Sequence, residues 1–262
     1  MTETTRETFA LHQGDWTNPN DWHDPTADQA FREGKKTILN PLMKAQGFLQ
    51  YKGNSFVRLG KNQIVQEVEL QKMSHGKNCT INLSFFRLDC PPCRGMTDCR
   101  ISQLLFAAAK TNGTDVWWSF TAKYAQQSFL NMADAIRLFV LPWFTYYEDP
   151  ERYRAMIQRG GTEDLHPKAI EARDQKWPMR ERIFDPDSTD EAAVKAYLNE
   201  QIAWMDTYQG PMIPVLAREK NAFEKMLSLM EQGMTPAAYH QAWIEANMAV
   251  YQYPKGLLKQ IL

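Results

Sequence analysis

Residues 64–72 read IVQEVELQK and residues 79–88 read CTINLSFFRL, with His75-Gly76 between the two stretches. If His75-Gly76 is a two-residue turn, the stretches pair as antiparallel strands in which apolar residues meet apolar ones and polar residues meet polar ones. Because successive side chains of a strand point to opposite faces, this register predicts a sheet with one core face and one solvated face. The predicted apolar pairs are Leu70 with Ile81 and Val68 with Leu83, and the predicted polar pairs are Glu69 with Asn82 and Glu67 with Ser84.

The neighbouring segments extend this hairpin into a larger sheet. KGNSFVRLG, at residues 52–60, predicts a preceding strand, and a tight connection at residues 60–63 sets Val57 beside Gln66 and Phe56 beside Glu67. A fourth strand near Arg100 to Phe106 and a fifth at Asp115 to Phe120 complete a meander of about five strands. The predicted core row of the fifth strand is Val116, Trp118 and Phe120, which places Trp117 on the side of Glu67 and Glu69.

Helices are predicted before and after the meander in the sequence. A leading helix starts at the cap-like Asp24-Pro25-Thr26, kinks at Asn40-Pro41 and runs towards Gly47. A long helix over Tyr124 to Leu141 covers the apolar face of the sheet and ends at Leu141-Pro142, and a short one follows from Asp149 through Ile157. The last predicted helices are Thr189 to Tyr208, Met212 to Gln232 and Thr235 to Tyr251.

These elements predict an α+β fold, an antiparallel meander of about five strands packed against helices and followed by a C-terminal helical appendage. Four regions follow along the chain. Residues 1–23 form an irregular N-terminal arm anchored by Trp16 and Trp22, and residues 24–160 form the α+β domain. Residues 161–188, rich in charge and proline, form a linker, and residues 189–262 form the helical appendage.

Composition excludes several classes of function. A formal charge of -1 and an isoelectric point near 6.5 leave no basic surplus for a nucleic acid. No apolar run approaches the roughly 20 residues that cross a bilayer, and the first residues lack the order of a signal peptide. Four cysteines in 262 residues are too few for a disulfide scaffold, which indicates a reducing compartment. We therefore expect a cytoplasmic protein with no nucleic-acid or membrane partner.

Several short motifs, in order, resemble the bacterial family catalogued as domain of unknown function 4304. The motifs are Pro41, Gly47-Phe48, Gly53-Asn54-Ser55-Phe56-Val57-Arg58, Gln71-Lys72, Thr80-Ile81-Asn82-Leu83, Asp115-Val116-Trp117-Trp118 and Leu141-Pro142. The resemblance covers about residues 31–158 and departs from the family pattern at Met73, where a serine is usual. Because the family is one of unknown function, the resemblance implies no activity.

The sharpest chemical signal is Cys90-x-x-Cys93 with Cys99 six residues further on. Zinc takes four ligands, and thiolate pairs at this spacing suit its tetrahedral geometry, but a fourth ligand is lacking. Asp89, Asp98, His166 and His240 stay open as candidates. We interpret the cysteines as ordinary reduced residues of a loop and predict no metal and no cofactor.

Glu67 and Glu69 point the same way on one strand and form a candidate carboxylate pair for acid/base chemistry. The other interpretation is a solvated sheet face, with Arg58 diagonal to Glu67 in a surface ion pair. Trp117 beside these carboxylates is typical of a protein-binding patch. The alternative is that the N-terminal arm or the C-terminal helices cover this tryptophan.

We favour a non-catalytic cytosolic protein-binding module, in its most concrete form an immunity protein that inhibits a bacterial toxin. The predicted binding residues are Arg58, Glu67, Glu69, Asn82, Ser84 and Trp117. The alternative is an enzyme that acts on a small polar substrate with a carboxylate from the polar sheet face. The sequence predicts no particular oligomeric state.

Overall fold

In the part of the chain that the structure describes, the sheet is antiparallel and has six strands, with the predicted hairpin at its centre. The computed structural model describes residues 5–14, 23–91, 99–105, 115–158, 185, 187–207 and 214–260. The strands are β1 (Leu49–Tyr51), β2 (Ser55–Leu59), β3 (Ile64–Lys72), β4 (Asn78–Arg87), β5 (Cys99–Arg100) and β6 (Trp118–Ser119). Their order is β1-β2-β3-β4-β5, and β6 also pairs with β4. The α+β prediction is confirmed.

The helices lie before, after and within the sheet sequence. They are α1 (Ala27–Gly34), α2 (Asn40–Ala45), α3 (Ile101–Leu104), α4 (Ala125–Ala135), α5 (Leu141–Tyr147), α6 (Pro150–Gln158), α7 (Glu191–Thr207), α8 (Pro214–Glu231) and α9 (Pro236–Tyr251). Short π-helical stretches join α1 to α2 (Lys35–Leu39) and α4 to α5 (Ile136–Val140), and a 3-10 helix (Lys255–Gln260) follows α9. The three predicted C-terminal helices are confirmed to within a few residues at each end. None of the helices in the described part of the chain is long and apolar enough to cross a membrane.

The central hairpin has the predicted register. Leu70 pairs with Ile81, Val68 with Leu83, Glu69 with Asn82 and Glu67 with Ser84. The predicted register between β2 and β3 is wrong by one residue, since Val57 pairs with Glu67 and Phe56 with Val68. The connection is one residue longer than predicted because Asn62 and Gln63 both adopt left-handed backbone conformations (φ 55° and 61°). Arg58 consequently lies opposite Gln66, on the face of Phe56, and not beside Glu67.

The fourth and fifth strands are shorter than predicted. The fourth strand was predicted over Arg100 to Phe106, but β5 ends at Arg100 because the chain then forms α3. Phe106 lies outside the described residues. The fifth strand is reduced to Trp118–Ser119. Since β3 occupies one edge of β4, β5 and β6 share the other edge at Asn82-Leu83 and Asn78-Cys79. Strand β1, for which the sequence analysis gives no prediction, pairs with β2.

Two prolines lie inside continuous helical segments. The prediction that Leu141-Pro142 ends the long helix is wrong, because helix α5 continues to Tyr147. Proline lacks the N–H that an α-helix needs and its ring collides with the preceding turn. The turn before Pro41 and the turn before Pro142 are each widened into a π-helix.

The apolar face of the sheet packs against α1 and α4. Gly34 permits the close approach of these helices, since a Cβ there would lie 2.3 Å from Cδ2 of Phe129. The described part of the N-terminal arm, residues 5–14, packs on the same layer through Phe9, whose ring meets Phe139 edge to face at 5.2 Å. The predicted anchors Trp16 and Trp22 lie outside the described residues.

The C-terminal helices share a core with the sheet. Buried residues of α7, α8 and α9, such as Leu198, Phe223 and Trp243, belong to the same apolar cluster as Phe85 of β4. A second cluster joins Val57, Val65 and Phe86 of the other sheet face to Val250, Tyr251, Tyr253 and Leu257. Of the predicted linker, residues 161–188, the structure describes Asp185, Asp187 and Ser188.

Candidate functional site

The outer face of the hairpin, which carries the odd-numbered residues of β3 and the even-numbered residues of β4, divides into two halves. In one half, Val65 and Phe86 are buried under the end of α9 and the chain after it. The other half carries polar side chains and borders a groove of about 400 Å³. We call this the polar groove; it is lined by Glu67, Glu69, Gln71, Asn82, Leu83, Ser84, Cys99, Arg100 and Gln103.

Hydrogen bonds organise the polar side chains of the groove. Asn82 Nδ2 donates to Gln71 Oε1 (2.8 Å) and to Glu69 Oε2 (3.3 Å), which ties together three side chains of the same face. On the neighbouring strand β5, the Arg100 backbone N–H donates to Gln103 Oε1 (2.9 Å) and fixes the start of α3. Arg100 also forms an ion pair with Asp115, which offsets its charge. Among the described residues that line the groove, the carboxylates of Glu67 and Glu69 thus outnumber the single guanidinium of Arg100.

The structure brings together four of the six predicted binding residues. Glu67, Glu69, Asn82 and Ser84 all line the polar groove, and each keeps some exposure to solvent. Trp117 is not among the residues that line it. This tryptophan is half-buried, and its carbonyl accepts a hydrogen bond from Gln13 Nε2 of the N-terminal arm (3.0 Å).

Arg58, the sixth predicted residue, lies in a different place. It lines a cavity of about 550 Å³ between the β2–β3 connection, the end of α5 and the C-terminal 3-10 helix. We call this the Arg58 cavity; it is lined by Gln46, Gly47, Arg58, Leu59, Gly60, Lys61, Asn62, Gln63, Glu148 and Gln260. The predicted ion pair between Arg58 and Glu67 is wrong, because the observed register puts the two side chains on opposite faces of the sheet.

A fully buried amide links Arg58 to a carboxylate. Arg58 Nε donates to Gln66 Oε1 (2.6 Å), and Gln66 Nε2 donates to Glu148 Oε1 (2.9 Å). Arg58 Nη1 also donates to the carbonyl of Gln46 (2.9 Å), and the guanidinium lies 4.7 Å from the ring centre of Phe48. Burial lowers the pKa of Arg58, and the charge of Glu148 opposes this effect.

Two further contacts shape the Arg58 cavity. A Cβ at Gly60 would lie 2.5 Å from Glu148 Oε1 and 2.6 Å from Gln66 Nε2, so a side chain at this position would displace at least one end of this pair. Gln260 Oε1 accepts from Leu59 N–H (2.8 Å) and its Nε2 donates to Gly47 O (2.6 Å). The sequence does not predict that Gln66, Glu148 and Gln260 belong to a site, because Glu148 is 82 positions from Gln66 and Gln260 is 201 positions from Leu59. No local pattern signals such contacts.

Cys79, Cys90 and Cys99 are buried, and Cys93 lies outside the described residues. Burial raises the pKa of Cys79 to about 12, which keeps this thiol protonated and unreactive. Two of the ligand candidates left open above meet, since His240 Nδ1 lies 3.4 Å from Asp89 Oδ2, but Asp89 already binds Arg87 through both oxygens. Within the described ranges, no three histidine, cysteine or acidic side chains converge as a metal site.

Comparison with known proteins adds no relative. No protein-family model matches the chain, and neither a curated protein nor a solved structure matches it significantly. The resemblance to the family of unknown function stays a prediction.

Proposed function

We propose that this protein is a non-catalytic protein-binding module whose polar groove receives a basic segment of a partner protein. The observation that carries the proposal is the division of one sheet face into a covered apolar half and a half that borders the polar groove. The open half keeps the side chains of four predicted binding residues accessible on a regular antiparallel hairpin. A groove on regular strands holds its side chains in fixed positions, which favours recognition.

Charge determines the kind of partner. Glu67 and Glu69 contribute two negative charges to the groove, while the positive charge of Arg100 is offset by Asp115. Complementary charge across an interface steers association and selects partners. The matching surface is therefore one with exposed lysine or arginine side chains.

Solvation favours binding over catalysis. A carboxylate that acts as a general base is normally tuned by burial or by a neighbouring charge. Glu69 is exposed, and Asn82 holds it through a hydrogen bond of 3.3 Å. This environment suits an acceptor in an interface better than a proton-abstracting group.

The most concrete form of the proposal is an immunity protein that blocks a bacterial toxin. Toxins that act on nucleic acids need a basic surface to bind the phosphate backbone. An acidic groove complements such a surface and competes with the nucleic acid for it. Small α+β proteins of similar character often serve as immunity proteins, and the growth experiment below tests this function.

The test uses the purified protein as bait in an extract of its native cytosol. We expect wild type to retain one specific protein, and this binding to weaken as the salt concentration increases. The double variant E67Q/E69Q should bind that protein at least tenfold more weakly. The matched control E33Q/E151Q removes the same number of negative charges from exposed sites outside the groove and should bind like wild type. Equal binding by all three proteins contradicts the proposal.

Two further readouts separate the finer proposals. If the retained protein stops growth when expressed alone, co-expression of wild type but not of E67Q/E69Q should restore growth, as an immunity function requires. Growth arrest in both cases contradicts the immunity function. Turnover of a small polar substrate that E67Q or E69Q abolishes, with partner binding intact, would establish the enzymatic alternative instead.

A further inference from the structure

Arg58 is a partly buried cation whose hydrogen-bonding capacity is only partly used. A guanidinium carries five N–H donors. Nε donates to Gln66 and Nη1 to Gln46 O, and within the described part of the chain no acceptor for Nη2 and no carboxylate in direct contact is present. Because burial of a cation without a contacting anion costs free energy, this geometry favours an external anionic group at Arg58.

Glu148 presents the opposite charge to the same cavity. Its Oε1 accepts from Gln66 Nε2, whereas no donor to Oε2 lies among the described residues. The amide of Gln66 is fully buried and separates the guanidinium from the carboxylate. The cavity wall thus offers a cation and an anion that lie one amide group apart and are not paired with each other.

We propose that the Arg58 cavity binds a small zwitterion of the α-amino-acid type, with its carboxylate on Arg58 and its ammonium on Glu148. Guanidinium groups bind carboxylates through parallel N–H···O bonds. An α-amino acid carries its two charges on either side of one carbon, a short separation that matches the amide spacer between Arg58 and Glu148. The side chain of such a ligand would meet the amides of Gln46, Asn62, Gln63 and Gln260.

The carboxylate of Glu148 separates this class of ligand from other anions. The charged residues that line the cavity are Arg58, Lys61 and Glu148, and a ligand that carries an ammonium group beside its carboxylate can pair with Arg58 without bringing an unpaired negative charge next to Glu148. A phosphate would place about two negative charges near the carboxylate of Glu148, which repels them. The volume of about 550 Å³ lies within the range of sites for small molecules. This proposal is independent of the polar groove and of its partner.

The experiment is a calorimetric titration of the full-length protein with glycine and with glutamine. Acetate and methylammonium, each of which carries one of the two charges, and inorganic phosphate serve as comparison probes. We expect an amino acid to bind at least tenfold more tightly than acetate, methylammonium or phosphate. We also expect R58Q and E148Q each to weaken amino-acid binding at least tenfold, because each variant removes one charge-assisted contact. R58K, which keeps the charge but loses the planar fork, should fall between wild type and R58Q.

The control is R32Q, which removes an exposed arginine of α1 outside both the cavity and the polar groove and should leave the affinity for the amino acid unchanged. A change in the NMR signal of the Arg58 Nε–H group on titration of wild type is a second readout that does not depend on the folding of any variant. Absence of binding of both amino acids at millimolar concentration overturns the proposal. So does unchanged affinity in folded R58Q, or tighter binding of phosphate than of either amino acid.

Discussion

The two halves of the hairpin's outer face differ in what covers them, although one strand pair provides both. Phe86 and Ser84 lie two positions apart on β4 and point to the same side. Phe86 is 1% exposed beneath Tyr251 and Tyr253, whereas Ser84 lines the open polar groove. Alternation along a strand thus determines the direction of a side chain, while a distant segment determines whether that side chain is buried.

The largest effect should come from the covered half. Replacing Phe86 with alanine removes a ring that lies 5.1 Å from Tyr251, and leaves a cavity beneath the C-terminal segment. We expect a loss of about 3–5 kcal/mol in the free energy of unfolding, measured with urea. Ser84→Ala on the same face should change stability by less than about 0.5 kcal/mol. Similar losses for the two variants would show that the division of the face is wrong.

Asn247 tests how α9 is held against the end of β4. This residue is 1% exposed, and its Nδ2 donates to the carbonyls of Leu88 (2.8 Å) and Cys90 (3.0 Å). Asn247→Leu keeps the volume but leaves two buried acceptors unpaired, so we expect a loss of about 2–4 kcal/mol in the urea unfolding free energy. The same change at exposed Asn199 should cost less than about 0.5 kcal/mol. A near-neutral Asn247→Leu would mean that this contact does not hold the helix.

Asp187 gives a smaller, pH-dependent effect at the end of β4, where it binds Arg87. Burial raises the pKa of Asp187, but hydrogen bonds from Arg87 and Arg154 outweigh it and hold the pKa below its usual value. The stabilisation is therefore present above the pKa of the unfolded chain, about 3.9, and is lost as the pH falls through the lower folded-state value. We expect Asp187→Asn to cost about 1 kcal/mol at pH 7 and nothing at strongly acid pH.

Thermal or urea unfolding of Asp187→Asn across this pH range is the measurement. Asp134→Asn, which removes the local ion pair with Arg137, serves as the control and should change stability by less than about 0.5 kcal/mol. A cost for Asp187→Asn that grows towards acid pH would contradict the assignment.

The smallest effect should come from the open half. Glu69 is exposed, and a glutamine there can still accept the hydrogen bond from Asn82 through its side-chain oxygen. We expect Glu69→Gln to change the free energy of unfolding by less than about 0.5 kcal/mol, so that any loss of partner binding reflects the interface. A clearly unstable Glu69→Gln would assign this residue a structural role in place of a binding role.

Sequence reasoning worked best where partners are near in the chain. The register of β3 and β4 follows from alternation and a short turn, and it placed Glu67, Glu69, Asn82 and Ser84 together. It failed at β2, where two left-handed residues lengthened the connection by one position. That single residue moved Arg58 to the other face of the sheet and into a different cavity.

The helix ends show the same limit. The three C-terminal helices are predictable because capping residues and glycines mark their ends locally. The continuation of the helix past Pro142 could not be predicted, because a π-helical turn within the packed core accommodates the proline. Propensity describes the isolated segment, and packing can override it.

By itself, the sequence determined the α+β class, the central hairpin with its apolar and polar residues, and four side chains of the polar groove. These depend on interactions between residues a few positions apart or across one turn. Only the tertiary structure decided that the C-terminal segment covers half of the outer face, and that Arg58, Gln66 and Glu148 meet around one cavity. The physical reason is that these contacts join segments far apart in the chain, whose meeting depends on how the whole chain packs.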